Sequence, residues 1–211
     1  MATPTDLLTL SQWFGANFPT GAFAYSHGLE AMVEAGKVID ATSFAEWLTD
    51  VMERGAGRQD AMLLSLAYRG DAVEIAELAL ALGASRERHL ETTAQGRAFS
   101  NVVSDIWGGT ATDWPLPVVA GASAQQAGLP LAETLTFYLQ SFAGNLCTIA
   151  ARCVPIGQSD AQRVLRDMAP LIERLSALAL TAEENDLGSA TMAADLAAIR
   201  HETQRTRIYR T

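Results

Sequence analysis

From Pro130 to Val154 the chain carries an apolar residue at every third or fourth place: Leu131, Leu135, Tyr138, Leu139, Phe142, Leu146, Ile149 and Cys153. That period belongs to one helix that is apolar on most sides. Pro130 suits a first helical residue, and Val154-Pro155 closes the far end. No charge falls between Thr134 and Ala151, and a run of eighteen uncharged residues is long enough to raise the question of a membrane span. Gln140, Ser141, Gly144, Asn145 and three Thr lie inside it, which favours the centre of a helical bundle.

Other helices can be placed around this one. Ser43 and Glu46 read as a capping box, followed by Phe44, Trp47, Leu48 and Val51 on one face. Asp71 and Glu74 repeat the device before Ile75, Leu78, Ala79 and Leu82, with Gly83 where a left-handed C-cap would stand. Ser159 opens a third box in SDAQ, leading to Val164, Leu165 and Met168, and Pro170 predicts a break before Leu171, Leu175 and Leu178. The stretch 114–128, with two prolines and no further charge, fits a buried loop or short helix. Helix formers dominate, aromatics are 7% and hydrophobic residues 49% of 211, so the expected fold is all-α, a single-domain bundle of roughly eight to ten helices.

The formal charge is −9, and the last twelve residues, with four Arg against Glu202, hold +3, which leaves the remainder at −12. An acidic body opposes contact with nucleic acid. The chain therefore divides into a helical body, 1–194, and a basic C-terminal segment, 195–211, of the same domain. Fourteen of the fifteen basic residues are Arg, a bias that suits forked pairing with carboxylates. Cys147 and Cys153 stand six apart on one helix, on nearly opposite faces, which argues against a disulfide. The N-terminus has no basic region followed by an apolar core, so the cytoplasm is the expected location.

Catalytic chemistry finds little support. His27, His89 and His201 are each isolated and there is no CxxC, against the three or four ligands of a zinc site. AMVEAGKV (31–38) lacks the first Gly and the final Ser or Thr of a phosphate-binding loop. Ser26 and His27 are adjacent, so on a helix their side chains diverge by about 100°, and no glycine-flanked elbow surrounds them. Neither an enzyme nor a resident cofactor is expected.

FPTGAFAYSHGLE (18–30) concentrates unusual residues. Pro19-Thr20-Gly21 makes a turn, and a helix is expected over 22–35 with Gly36 past its end. Ala22, Tyr25, Leu29 and Met32 would form one stripe, and Phe23, His27, Glu30 and Glu34 another. Gly28 in mid-helix would cost about 0.5–1 kcal/mol, which makes sense where another backbone packs close. Periodicity alone favours Tyr25 as a core residue and His27 as half-exposed.

FPTGAFAYSHGLEAMVEAGKV resembles the N-terminal signature of the UreF family of urease accessory proteins, P-x-G-[GA]-F-[AS]-Y-S-x-G-L-E followed by V-E-x-G. GRQDAMLLSLAYR (57–69), ARCVPIGQSDAQRVL (151–165) and DLAAIRHETQRTRIYRT (195–211) are similar to three further family segments, in order, so the likeness spans nearly the whole chain. The resemblance implies an all-helical protein that catalyses nothing alone. It would bridge a UreG-type GTPase and a UreD/UreH-type scaffold, deliver nickel to apo-urease through that complex, and form a homodimer. It also implies that Tyr25 and Arg207 lie near the surface supporting GTPase recruitment, and that the tail docks the scaffold. Partner-binding candidates by motif position are Tyr25, Ser26, His27 and Glu30 near the N-terminus, and Arg200, His201, Glu202, Arg205, Arg207, Tyr209 and Arg210 in the tail.

This chain has Gly21-Ala22-Phe23-Ala24 where the family often has Gly-Gly-Phe-Ser, and Gln204-Arg205-Thr206-Arg207 adds charge to the tail. Scaffold binding with an altered strength or salt dependence follows. Nickel is expected to be held only weakly and transiently, with His27 and His201 as candidate ligands. Two other readings are a helical enzyme or small-ligand binder, tested by turnover or ligand-dependent stabilisation, and a DNA-binding regulator, tested by salt-dependent affinity for duplex DNA.

Overall fold

The computed structural model describes residues 1–83, 85–188 and 208–210. Among them every regular element is helical: α1 (Pro4–Trp13), α2 (Leu29–Glu34), α3 (Ala41–Arg54), α4 (Ala56–Arg69), α5 (Ala72–Ala81), α6 (Arg86–Trp107), α7 (Leu116–Gln126), α8 (Leu131–Cys153), α9 (Gln158–Asp167) and α10 (Ala169–Leu180), with short 3-10 turns at Ala22–Ala24 and Glu184–Asp186. The expected all-α bundle is what forms. The proposed boundary between residues 194 and 195 lies outside the described residues.

α8 is the axis of the bundle and touches α1, α2, α3, α4, α7, α9 and α10. Its Leu135, Leu139, Ala143, Leu146 and Ala150 are fully buried, which is why the uncharged run exists. No helix of the described residues is long and apolar enough to cross a membrane. On one side α1 is locked to α6 through aromatic edges: Trp13 meets Phe99 at 5.4 Å and Trp107 at 5.5 Å between ring centroids, and Phe18 meets Phe99 at 5.1 Å. On the other, α5 packs on α4 and α7 through Leu63, Ala67, Ile75, Ala76 and Val118.

α4 and α7 pack backbone to backbone at Gly121, where a Cβ would fall 2.2 Å from the Leu64 carbonyl oxygen. A side chain there would push the two helices apart, so the small residue sets the distance of the crossing.

Several helix ends depart by a few residues from the expected ones. α3 starts at Asp40, not Ser43: Asp40 Oδ1 accepts from Ser43 N at 2.8 Å while Ser43 Oγ accepts from Asp40 N at 3.1 Å. The carboxylate is the better acceptor for a free amide, so the box forms one turn earlier. α9 begins after Gly157, whose N–H donates to Asp160 Oδ2 at 3.3 Å, so Ser159 lies inside the helix. Gly83 does not take a left-handed conformation, and α5 ends on Leu82. Asp71 does cap α5, accepting from Val73 N at 2.8 Å. Pro170 stands in the first turn of α10 and separates it from α9. The 114–128 stretch is the buried helix α7, with Val118, Ala120 and Ala124 fully enclosed.

Candidate functional site

The helix expected over 22–35 is interrupted. After the turn at Ala22–Ala24 the backbone becomes extended at Tyr25, and α2 begins only at Leu29. Three residues with left-handed backbone impose this course: Gly21 (φ 73°), His27 (φ 53°) and Gly28 (φ 79°). The glycines adopt that region without a Cβ clash, whereas His27 bears a cost of about 1 kcal/mol. Two contacts fix His27 there. Its Nε2 lies 2.9 Å from Glu91 Oε1, and its ring meets Phe142 edge-on with centroids 4.8 Å apart. Gly28 thus stands at the entrance of α2 and carries no mid-helix penalty, and the two expected stripes do not exist as drawn. Asn145 of α8 secures the loop by donating from Nδ2 to the Ala22 carbonyl at 2.9 Å.

The end of the chain lies against this loop. Glu30, buried in the first turn of α2, accepts the backbone N–H of Ile208 at 2.8 Å and of Tyr209 at 3.1 Å, and the Arg210 N–H donates to the Ala24 carbonyl at 2.7 Å. One carboxylate thereby clasps two successive amides. Tyr209 is buried, and that burial, with Cys153 and Glu30 adding to it, raises its phenol pKa. Burial and Glu30 likewise push the Cys153 thiol up to about 11. Phe23 is 64% and Ile208 75% exposed, and Arg210 is exposed as well.

Of the candidate residues, the fold therefore brings together Glu30, Tyr209 and Arg210. Tyr25 and Ser26 are buried below the same loop. Arg200, His201, Glu202, Arg205 and Arg207 lie outside the described residues.

Beneath the loop is a polar cluster that periodicity did not reveal. Arg88 Nη2 donates to both oxygens of Asp60, at 2.8 and 2.6 Å, and the Tyr138 hydroxyl donates to Asp60 Oδ2 at 2.8 Å. Glu91 Oε1 faces three donors: His27 Nε2 at 2.9 Å, Gln95 Nε2 at 3.0 Å and Arg88 Nη1 at 3.4 Å. Glu91 Oε2 is buried with no hydrogen-bond partner. Burial works against ionisation of Glu91, yet His27 and Arg88 outweigh it and hold its pKa down at about 2. For Arg88 burial likewise opposes the charge, and Asp60 and Glu91 override it to raise the pKa. Burial and the Asp60 carboxylate raise that of Tyr138.

A signal for this cluster existed. Arg88, Glu91, Gln95 and Phe99 recur at three- and four-residue intervals, so polar groups occupy core positions of α6, which marks a buried polar network. Asp60 lies in the 57–69 segment, on the face of α4 turned towards α8.

A cavity of about 770 Å³ reaches from this cluster to the loop, bounded by the end of α1, by α6 and by α8. Among the described residues no group of three or more His, Cys, Asp or Glu is placed to hold a metal ion.

A family model of UreF matches residues 38–169, well over half of the chain. The chain belongs to the UreF family. Urease accessory protein UreF of Ruegeria pomeroyi is 44% identical over 217 aligned residues, which cover all of both chains. Proteins of the same name from Cereibacter sphaeroides and Rhodopseudomonas palustris are 48% and 45% identical, covering 97% of this chain and 98% and 91% of their own. The resemblance read from four motifs is thus established as UreF membership. Both halves of the clasp, the loop at 18–30 and residues 208–210, lie outside the span of the family model and inside the full-length likeness to the Ruegeria UreF.

Proposed function

We propose that this UreF-family chain acts by binding, as a bridge between a UreG-type GTPase and a UreD/UreH-type scaffold in the cytoplasm, from which nickel reaches apo-urease. One observation carries the proposal: the chain end is clasped to the 18–30 loop through Glu30 and Ala24. Two segments that are remote in sequence, both carrying family motifs, so become neighbours, with Phe23, Ile208 and Arg210 exposed beside them. An exposed aromatic, an aliphatic and an arginine are the residue types that anchor protein interfaces.

In this reading Ser26 supports the loop from below, Glu30 and Tyr209 hold the tail, Tyr25 and Arg207 help to hold the surface that meets the GTPase, and the tail around Arg210 docks the scaffold. Arg200, His201, Glu202 and Arg205 dock the scaffold. The chain works as a homodimer, and nickel is cargo that the isolated protein binds weakly through His27 or His201. Tight stoichiometric nickel in calorimetry of untagged protein would overturn that last point.

The test is co-purification of the full-length chain, and of a version ending at Leu196, with the scaffold and then the GTPase. Capture of both partners by the full-length protein and loss on truncation supports the bridge. No capture by well-folded full-length protein refutes it. Arg207→Ala should weaken the ternary complex while leaving the melting temperature unchanged, and a large thermal loss would make Arg207 structural instead.

A further inference from the structure

Resting on the bridging role above, we propose that Asn145 of α8 is a positioning residue for the partner-facing surface: it sets the turn at 21–25 so that the Ala24 carbonyl receives the chain end and Phe23 projects outward. α8 is uncharged from Thr134 to Ala151, and its buried side is mainly aliphatic. Asn is a poor helix former, and here it follows Gly144, a second one, in the interior of a 23-residue helix. What its side chain does there is specific. Nδ2 donates to the Ala22 carbonyl at 2.9 Å, across 123 positions of sequence. A carbonyl oxygen can only accept, so the group that faces it has to be a donor.

The same carbonyl also accepts the Tyr25 N–H at 3.2 Å, and the Ala24 N–H donates to the Gly21 carbonyl at 3.1 Å. With Gly21 left-handed at φ 73°, these bonds make residues 21–25 one small unit, oriented where Asn145 grips it. Two parts of that unit are used at the surface. Ala24 offers its carbonyl to the Arg210 N–H at 2.7 Å, and Phe23 is 64% exposed. One helical turn before Asn145, Phe142 meets the His27 ring with centroids 4.8 Å apart. A single turn of α8 therefore holds both ends of the 22–27 segment, Ala22 through an amide and His27 through a ring. Glu30 clasps residues 208 and 209 directly, whereas Asn145 acts on the next link, Arg210, through the turn. An aromatic side chain on a backbone fixed in this way loses less conformational freedom on docking than one on a loose loop.

The test is hydrogen exchange at the Arg210 amide of the full-length protein, with the Leu139 and Leu146 amides reporting global opening, alongside capture of the scaffold and then the GTPase. Asn145→Asp keeps the shape but removes the donor and turns a carboxylate towards the Ala22 oxygen. Asn145→Ala removes the donor without repulsion and favours the helix, so it should fold even where the Asp variant does not. Both should accelerate exchange at Arg210 by about tenfold or more, leave Leu139 and Leu146 unaccelerated in Asn145→Ala, and weaken ternary capture by a similar factor. A side chain that only filled space would tolerate the isosteric Asp and would not loosen Arg210 alone. Exchange at Arg210 within about twofold of wild type in Asn145→Ala, or an acceleration matched at Leu139 and Leu146, would overturn the proposal. Undiminished capture of both partners by a variant whose Arg210 amide is freed would overturn it too, while leaving the bridge intact. No capture by the wild-type protein would refute the bridge itself, and with it the assembly role of Asn145.

Discussion

Glu30→Gln tests whether the tail is held by charge-assisted hydrogen bonds or merely rests on the loop. In the native protein both carboxylate oxygens are used, one on the Ile208 amide at 2.8 Å and one on the Tyr209 amide at 3.1 Å. The amide side chain has the same shape but keeps one acceptor, now uncharged, and turns an NH₂ group towards the other N–H. A hydrogen bond to a charged group contributes about 1.5–3 kcal/mol and a neutral one about 1 kcal/mol. Losing one and weakening the other, against the contacts of Tyr209 and Arg210 that remain, gives a net loss of about 2 kcal/mol, which corresponds to roughly a thirtyfold rise in the open population of the tail. Native-state amide exchange measures that population directly. Exchange at Ile208 and Tyr209 should accelerate by that factor, with Glu34→Gln, an exposed acid on the same helix, as the control. Rates within about twofold of wild type would show that the carboxylate does not hold the tail. An equal acceleration at Leu139 and Leu146 would show that Glu30 belongs to the global core and that no separate clasp exists.

The remaining predictions concern the cluster and the crossing beneath the loop. Tyr138→Phe removes one donor from Asp60 and leaves the two Arg88 bonds, a loss of about 1 kcal/mol, whereas Asp60→Asn leaves Arg88 without its main partner and should cost about 3–5 kcal/mol. Thermal denaturation should rank them in that order, and equal losses would contradict the assigned geometry. Gly121→Ala places a Cβ 2.2 Å from the Leu64 carbonyl oxygen and should destabilise by about 2 kcal/mol, a fall in Tm of roughly 4–8 °C; an unchanged Tm would mean that α4 and α7 separate at little expense. Because the Glu91 pKa is depressed to about 2 from the ordinary 4.5, the ionised form stabilises the fold above pH 4.5, and that contribution, on the order of 3 kcal/mol, is lost as the pH falls towards 2. Urea titrations from pH 5 to 2.5 should show a shallower acid loss in Glu91→Gln than in wild type, and parallel curves would remove Glu91 from the account.

What periodicity read well was burial on one side of a regular element. Pro130, Pro155 and Pro170 bounded α8 and α10 because proline acts on the backbone locally, whatever surrounds it. Asp71 capped α5 for the same reason. Spacing places the caps at Ser43 and Ser159, but the carboxylates of Asp40, three residues before Ser43, and of Asp160, next to Ser159, are the better-placed acceptors, a competition that spacing alone does not rank. The loop at 25–28 failed more deeply. Its residues have a helix-compatible period, and the break comes from His27 and Gly28 in left-handed conformations, stabilised through Glu91 and Phe142, which lie 64 and 115 positions away from His27 in sequence. No local pattern contains that information.

The same long-range contacts tie the 18–30 loop to the core and to the chain end. His27 reaches Glu91, and through Glu91 and Arg88 the loop is joined to Asp60 and to Tyr138 in the central helix. Glu30, three residues on, holds the chain end from the other side of the same loop. The loop therefore has a buried polar anchor below and a backbone clasp above, and its strained residue stays in place only while the lower anchor is intact. A substitution at Glu91 should then be felt at the tail as well as in the core: amide exchange at Ile208 should rise in Glu91→Gln even though Glu91 is not a tail partner. If exchange at Ile208 is indifferent to Glu91, anchor and clasp are separate devices that merely share a loop, and the effect of Glu30→Gln on the tail would stand alone.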